Sequence, residues 1–155
     1  IKKYKNLAQN ITHFGFSLLI LSILFNNLLS TEIVTNLKVG EAYEDSNTKI
    51  FFESIDQKNK KNYKAIIANF SILNSNGTND NLSPELRIYN QPKITTSEAD
   101  IQTTLMKDKF IVINLVQNQD YFNVRYQVKP FMLWIWFSVI LISFGGVISF
   151  LKKRL

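Results

Sequence analysis

Two long apolar runs bracket this chain, and short alternating segments fill the space between them. Ile11–Leu29 and Phe131–Leu151 contain no Asp, Glu, Lys or Arg. At 1.5 Å per residue they reach about 28 and about 32 Å, against a hydrocarbon core of roughly 30 Å, so each predicts a membrane-spanning α-helix. The second run follows Pro130 and carries Trp134 and Trp136 near its start, where an interfacial aromatic belt belongs. The first run has the basic front and apolar middle of a secretory signal. Its exit, Asn26-Asn27-Leu28-Leu29-Ser30-Thr31, offers no small-x-small cleavage site, which favours an uncleaved span.

Between the runs the period changes to two. Phe122, Val124, Tyr126 and Val128 alternate with Asn123, Arg125, Gln127 and Lys129, which predicts a half-buried strand over 121–129. Residues 110–116 are apolar on both faces except at Asn114 and predict a central strand, joined to the next by Gln117-Asn118-Gln119-Asp120. Residues 50–55 and 63–73 predict two more strands, the second burying Ile66, Ala68, Phe70 and Ile72. An exposed loop with Lys58, Lys60 and Lys61 separates them. The Asn-rich stretch 74–81 reads as turn or loop. Six or seven short strands would make a small antiparallel barrel or sandwich. The expected layout is a loop at 1–10, a span at 11–29, a β-rich domain at 30–130, a span at 131–151 and a tail at 152–155.

The charge pattern orients this layout. The net charge of +6 sits at the ends, in Lys2, Lys3 and Lys5 and in Lys152, Lys153 and Arg154, while the segment between has equal numbers of basic and acidic residues. Positive flanks stay on the cytoplasmic side, so both termini are expected inside and the β-rich domain outside. A nucleic-acid surface would need that charge on one folded face. The chain has no cysteine, so the domain rests on its own core without disulfides. It opens with Ile1 and reads as the C-terminal piece of a longer membrane protein, because two helices alone have little to pack against.

Candidate chemistry is sparse. His13, the single histidine, falls just inside the first span. Its position leaves two roles open, an interfacial ring reaching the headgroups or an intramembrane group acting as haem-iron ligand or proton carrier. Gly15 suits close approach of a flat ligand or of a second helix. Met132 lies at the opposite end of the spans and is too distant to share a metal with His13. Without His or Cys in the outer domain, Ser-His-Asp and Cys-His catalysis are excluded there. The carboxylate pairs Glu44/Asp45 and Glu98/Asp100 lack metal-loop spacing and are expected to cap turns or face water. The triplets starting at Asn69, Asn76 and Asn81 match glycosylation acceptors, as chance allows in an Asn-rich chain.

Several blocks taken together carry a family pattern. They are His13-Phe14-Gly15 at the start of a span, Leu82-Ser83-Pro84-Glu85-Leu86-Arg87-Ile88-Tyr89 and Thr96-Ser97-Glu98-Ala99-Asp100-Ile101. Val124-Arg125-Tyr126, Lys129-Pro130 before Trp134-Ile135-Trp136, and Gly145-Gly146 follow. In this order, over nearly the whole chain, they resemble the C-terminal portion of the CcmF family of cytochrome c maturation proteins, including its NrfE branch. The pattern departs at Leu86, where the family more often has a second basic residue, and in a lengthened Asn-rich loop.

The resemblance implies a fragment of a haem lyase subunit in a bacterial or mitochondrial inner membrane, not catalytic by itself. It implies partners beyond membrane lipid: the haem chaperone CcmE, apocytochrome c and a CcmH-type thiol-reducing subunit. It implies that His13 is one axial ligand of a resident haem b, with the second ligand outside this chain. Arg87 and Arg125 become candidates for haem propionates or apocytochrome, against the ordinary reading of solvated strand-face arginines. The competing functional class is a non-catalytic β-domain anchored on two helices that scaffolds an unrelated membrane complex.

Overall fold

The computed structural model describes the backbone of residues 2–75, 77–116 and 120–154, and the side chains of 7–75, 77–116 and 120–151. The side chains of the six terminal basic residues, Asn76, and the Gln117–Gln119 part of the predicted connector lie outside the described residues. The chain divides into two compact units. One comprises Ile1–Thr31, Thr103–Asp108 and Val128–Leu155, and the other Glu32–Gln102 and Lys109–Gln127.

The first unit is built on two helices, α1 (Lys2–Leu29) and α2 (Met132–Arg154). Their apolar stretches Leu7–Leu29 and Met132–Leu151 are long enough to cross a membrane. The segment expected as a loop is helical from Lys2 onward; Lys, Leu, Ala and Gln before the span are strong helix formers and nothing there breaks the helix. The helices run antiparallel, with Gly15 against Leu141 and Ile142, Thr12 against Gly145, and the Phe25 ring tilted against that of Phe131 at 5.4 Å.

Their seam is made of small residues. Ala8, Gly15 and Ser22 on α1, and Ser138 and Gly145 on α2, are buried at seven-residue spacing, which keeps them on one face. A Cβ at Gly145 would stand 2.2 Å from Thr12 Oγ1 and 3.0 Å from Ala8 O, so the backbones approach to a distance that only glycine permits. Gly15 therefore serves helix packing. Hydroxyls in the two apolar helices bond back to their own helix, Thr12 to Ala8 O at 3.0 Å and Ser143 to Val139 O at 2.9 Å. At the far end Asn26 Nδ2 donates to Pro130 O at 2.6 Å. Phe131, between the last strand and α2, holds φ 60, a left-handed value uncommon for a bulky residue.

The β domain has ten strands among the described residues: β1 (Thr31–Leu37), β2 (Ala42–Glu44), β3 (Thr48–Asn59), β4 (Tyr63–Asn74), β5 (Asn79–Leu82), β6 (Glu85–Tyr89), β7 (Thr95–Glu98), β8 (Asp100–Thr103), β9 (Lys107–Leu115) and β10 (Phe122–Pro130). They form a four-stranded sheet in the order β1-β10-β9-β8 and a six-stranded sheet in the order β2-β3-β4-β6-β7, with β5 also on β4. Phe52 on one sheet meets Phe122 on the other edge to face at 5.6 Å, so the architecture is a β-sandwich. Its core contains Ile50, Phe52, Phe70, Ile72, Leu86, Ile111, Ile113, Val124 and Tyr126.

The sequence expectation of six or seven strands was low because β2, β5, β7 and β8 are three or four residues long and mostly polar. Their pairing with longer neighbours makes them strands, not their own periodicity. The Asn-rich stretch accordingly ends in β5. The burial phase also slips. Ile66 is only half-buried, whereas Ala65 and Ile67 are buried beside the expected Ala68, Phe70 and Ile72. A bulge in β3 between Phe52 and Ser54 puts Phe52 opposite Phe70 and Ile55 opposite Ala68 on the inner face, keeping the two strands matched.

Candidate functional site

His13 stands on α1 about 9 Å along the helix from Leu7, with its ring exposed. Gln9, one turn earlier, brings its amide nitrogen to 3.4 Å from His13 Nε2. An amide can present either its N–H or its carbonyl to that nitrogen, so it can bond the ring whichever tautomer is present. Beside the ring lies an open groove of about 430 Å³, lined by Ala8, Gln9, Thr12, Gly145, Gly146 and Ser149.

The two adjacent glycines divide the work. Gly145 lies in the helix seam, whereas a Cβ at Gly146 would meet no heavy atom within 4 Å. Gly146 thus leaves the groove wall bare. An exposed imidazole held from one side, next to a shallow groove walled by small side chains, fits a flat prosthetic group that takes one nitrogen ligand from this chain. Among the described residues no three His, Cys, Asp or Glu side chains assemble. Met132 lies about 20 Å along α2 from Gly145, the residue beside Thr12 at the level of His13.

The outer-domain candidates hold the fold together. Arg87 pairs with Glu85 at 3.0 Å and Glu98 at 3.7 Å, and its guanidinium lies 5.3 Å from the Tyr63 ring. The hydrogen bond to Glu85 pushes its already high pKa further up. Arg125 pairs with Glu32 at 3.0 Å on the surface. Asp100 accepts from Ser83 N at 2.6 Å, Ser83 Oγ donates to Asn69 Oδ1 at 2.9 Å, and Ala68 N donates to Pro84 O at 3.0 Å. The two longest motif blocks therefore lock each other through Ser83–Asp100 and Arg87–Glu98. Leu86 points into the core, 1 % exposed, where a basic residue would be out of place. Glu44 pairs with Lys49, and Asp45 caps its own turn at Ser46 N. Asn69 is tied to Ser54 and Asp56.

One cluster escaped the sequence reading. Lys109, 4 % exposed, forms an ion pair with Asp80, 8 % exposed, and Asn74 donates to the same carboxylate at 2.9 Å. Burial pushes the Asp80 carboxyl up. The hydrogen bond and charge of Lys109, joined by Asn74 and Gln102, outweigh this and leave it below the usual carboxylate range. Tyr126 is buried with its hydroxyl unpaired among the described residues, and burial with the charge of Asp80 pushes it up to about 12. The available clue was Lys109 in the inward phase of Ile111 and Ile113.

A family model described as the CcmF C-terminal beta-sandwich matches residues 28–130. Cytochrome c-type biogenesis protein ccl1 of Rhodobacter capsulatus is 32 % identical over 117 residues, covering 76 % of this chain and 18 % of that protein. Cytochrome c-type biogenesis protein CcmF of Pseudomonas fluorescens is 26 % identical over 147 residues, covering 95 % and 22 %. A solved structure of the cytochrome c heme lyase CcmF shares the fold at a TM-score of 0.70 and 17 % identity, covering 95 % of this chain and 25 % of that one. The chain spans about a fifth of the length of the curated relatives it matches.

Proposed function

Because the chain belongs to the CcmF family, whose C-terminal β-sandwich model matches residues 28–130, we propose that it is the C-terminal part of a haem lyase subunit of cytochrome c maturation. In this reading α1 and α2 cross a bacterial or mitochondrial inner membrane with residues 1–10 and 152–155 on the cytoplasmic or matrix side, and residues 30–130 lie outside. The distribution of charge and the lengths of the two apolar stretches support that layout. The whole protein takes haem from the chaperone CcmE, works with a CcmH-type thiol-reducing subunit and attaches the haem to apocytochrome c, whose thiols supply the chemistry this cysteine-free chain lacks.

His13 would hold the iron of a haem b, and the second ligand would come from outside this chain. The observation that carries this is the exposed ring of His13 beside the bare wall at Gly146. Bound there, the haem supplies one-electron redox chemistry within the membrane. Gln9 is within reach of the imidazole, Ala8 and Thr12 line the groove with small side chains, and the spans exclude water. Because His13 sits in the half of the spans remote from Pro130, the haem it holds is a resident one, distinct from the haem attached on the outer side. The sandwich scaffolds and docks, with Arg87 and Arg125 engaged in its own ion pairs.

The test is His13→Ala in the full-length parent, with the reduced haem spectrum of the purified protein recorded beside its yield. The expected result is loss of the b-type signal at unchanged yield. Retention of the full signal overturns the ligand assignment and leaves the chain as a β-rich anchor scaffolding a membrane complex. Gly146→Phe keeps His13 and fills the groove; it should lower haem retention as well.

A further inference from the structure

The turn between β8 and β9 carries two large apolar side chains in the open, Leu105 at 60 % and Met106 at 55 % exposure. A loop tip of this kind is normally polar. The turn closes on itself through Thr104 N donating to Lys107 O at 3.0 Å. It is also tied to the start of α2 twice. Phe131 N donates to Met106 O at 2.8 Å, and Trp134 Nε1 donates to Leu105 O at 3.0 Å. These bonds fix the depth of the tip. Met132–Leu151 rises about 30 Å, the thickness of the hydrocarbon core, so whatever is bonded to residues 131 and 134 lies at the boundary of that core. Trp134 thereby satisfies its indole N–H on protein and leaves its ring for apolar neighbours.

Leu105 and the first turns of α2 enclose a groove of about 330 Å³ lined by Leu105, Leu133, Trp134, Trp136, Phe137 and Ile140, all apolar. The groove opens onto the face where Trp136 and Ile140 are each 64 % exposed. The α1–α2 seam shows what a helix-to-helix contact is made of in this molecule: Ala, Gly and Ser. The groove is walled by Trp, Phe, Leu and Ile, a composition suited to lipid and unlike that seam.

We propose that the β8–β9 turn is a membrane-interface anchor. Leu105 and Met106 lie at the boundary between headgroups and acyl chains, and the groove beside Trp134 takes an acyl chain of a phospholipid from the outer leaflet. The proposal rests on the membrane-spanning reading of α2 given above. It assigns the turn a second task besides joining two strands, which is to hold the outer end of α2 at a set depth.

The chain has no cysteine, so single spin labels can be placed without background from it. Leu105→Cys, Met106→Cys, Ile140→Cys and Val39→Cys are made in the full-length parent with any cysteines elsewhere replaced, reconstituted in phosphatidylcholine nanodiscs. Collisions of each nitroxide with oxygen and with a water-soluble nickel chelate are then measured. The labels at 105 and 106 should collide mainly with oxygen, as at 140, and lose the nickel collisions that dominate at 39. If 140 behaves as lipid-exposed while 105 and 106 behave like 39, the anchor is overturned and the span stands. If 140 itself is open to nickel, the spanning reading falls and the anchor with it. Labels at 105 and 106 shielded from both reagents mean that protein covers the tip, which overturns the lipid assignment.

Discussion

The helix pair and the sandwich core solve opposite packing problems. Along each apolar helical stretch only two or three residues are buried, and they are Ala, Gly and Ser. In the sandwich the buried residues are large, with Phe52, Phe70, Ile72 and Ile111 all at 1 % exposure or less. In water, burying bulk is the driving force. Lipid is as apolar as Leu, so two helices in it gain from close backbone approach, which small residues allow. The contrast teaches that large residues at the helix surface are no defect of packing here. In the membrane-spanning reading proposed above, they face lipid.

Four sets of substitutions test that contrast, from the largest effect downward. Lys109→Ala leaves the Asp80 carboxylate buried without its cation and should cost about 3–5 kcal/mol, read by denaturant unfolding of the sandwich. Lys109→Met together with Asp80→Leu should recover most of that loss, since an apolar pair of similar volume suits this core. An equal loss in the double variant would contradict the account. In the helix pair Gly145→Val should cost about 1–3 kcal/mol and separate α1 from α2, visible as a longer spin-label distance between them. Gly146→Ala, one residue on, should leave that distance unchanged and shift stability by less than about 1 kcal/mol, because nothing opposes its Cβ.

Tyr126→Phe removes a buried unpaired hydroxyl and should be neutral or stabilising by about 1 kcal/mol. It should also change the alkaline limb. With the folded value raised from 10.0 to about 12, the unfolded chain releases this proton first. The contribution of this group to stability is constant below pH 10 and falls by up to about 3 kcal/mol between pH 10 and 12, and that loss should disappear in the variant. Asp80 acts in the other direction. Its lowered carboxyl adds stability above the unfolded value near 3.8, and that part is lost as pH falls through its folded value. The smallest effect is expected from Arg125→Ala, which breaks an exposed pair with Glu32 and should stay within about 0.5 kcal/mol.

Much of this was legible in the chain, for identifiable reasons. The two long apolar helices were plain because a charge-free run of that length has few other uses, β10 because it keeps period two, and β3, β4 and β9 because their runs are rich in β-branched and aromatic residues. The loop expected before the first span is helical, since propensity carried α1 back to Lys2. β2, β5, β7 and β8 were unreadable because their pairing partners lie elsewhere in the chain. The small residues at 8, 15, 22, 138 and 145 were present in the sequence at seven-residue spacing, but a stripe of small side chains does not say which helix it faces. The outer motif was legible as a pattern, yet its task was not. Ser83 bonds to Asp100 and Arg87 to Glu98, two pairs that only the folded structure brings together.

By itself the sequence determined two long apolar helices, the β class of the middle, the family pattern and the identity of His13 as the one candidate ligand. Those follow from hydropathy, period and residue chemistry, which are local or compositional properties. The tertiary structure alone decided that Gly145 joins helices while Gly146 borders the groove at His13, that Lys109 and Asp80 meet inside the sandwich, and that Leu105 and Met106 sit against the first turn of α2. Each of these is a distance between residues far apart in the chain, and folding sets such distances by packing that no single segment encodes.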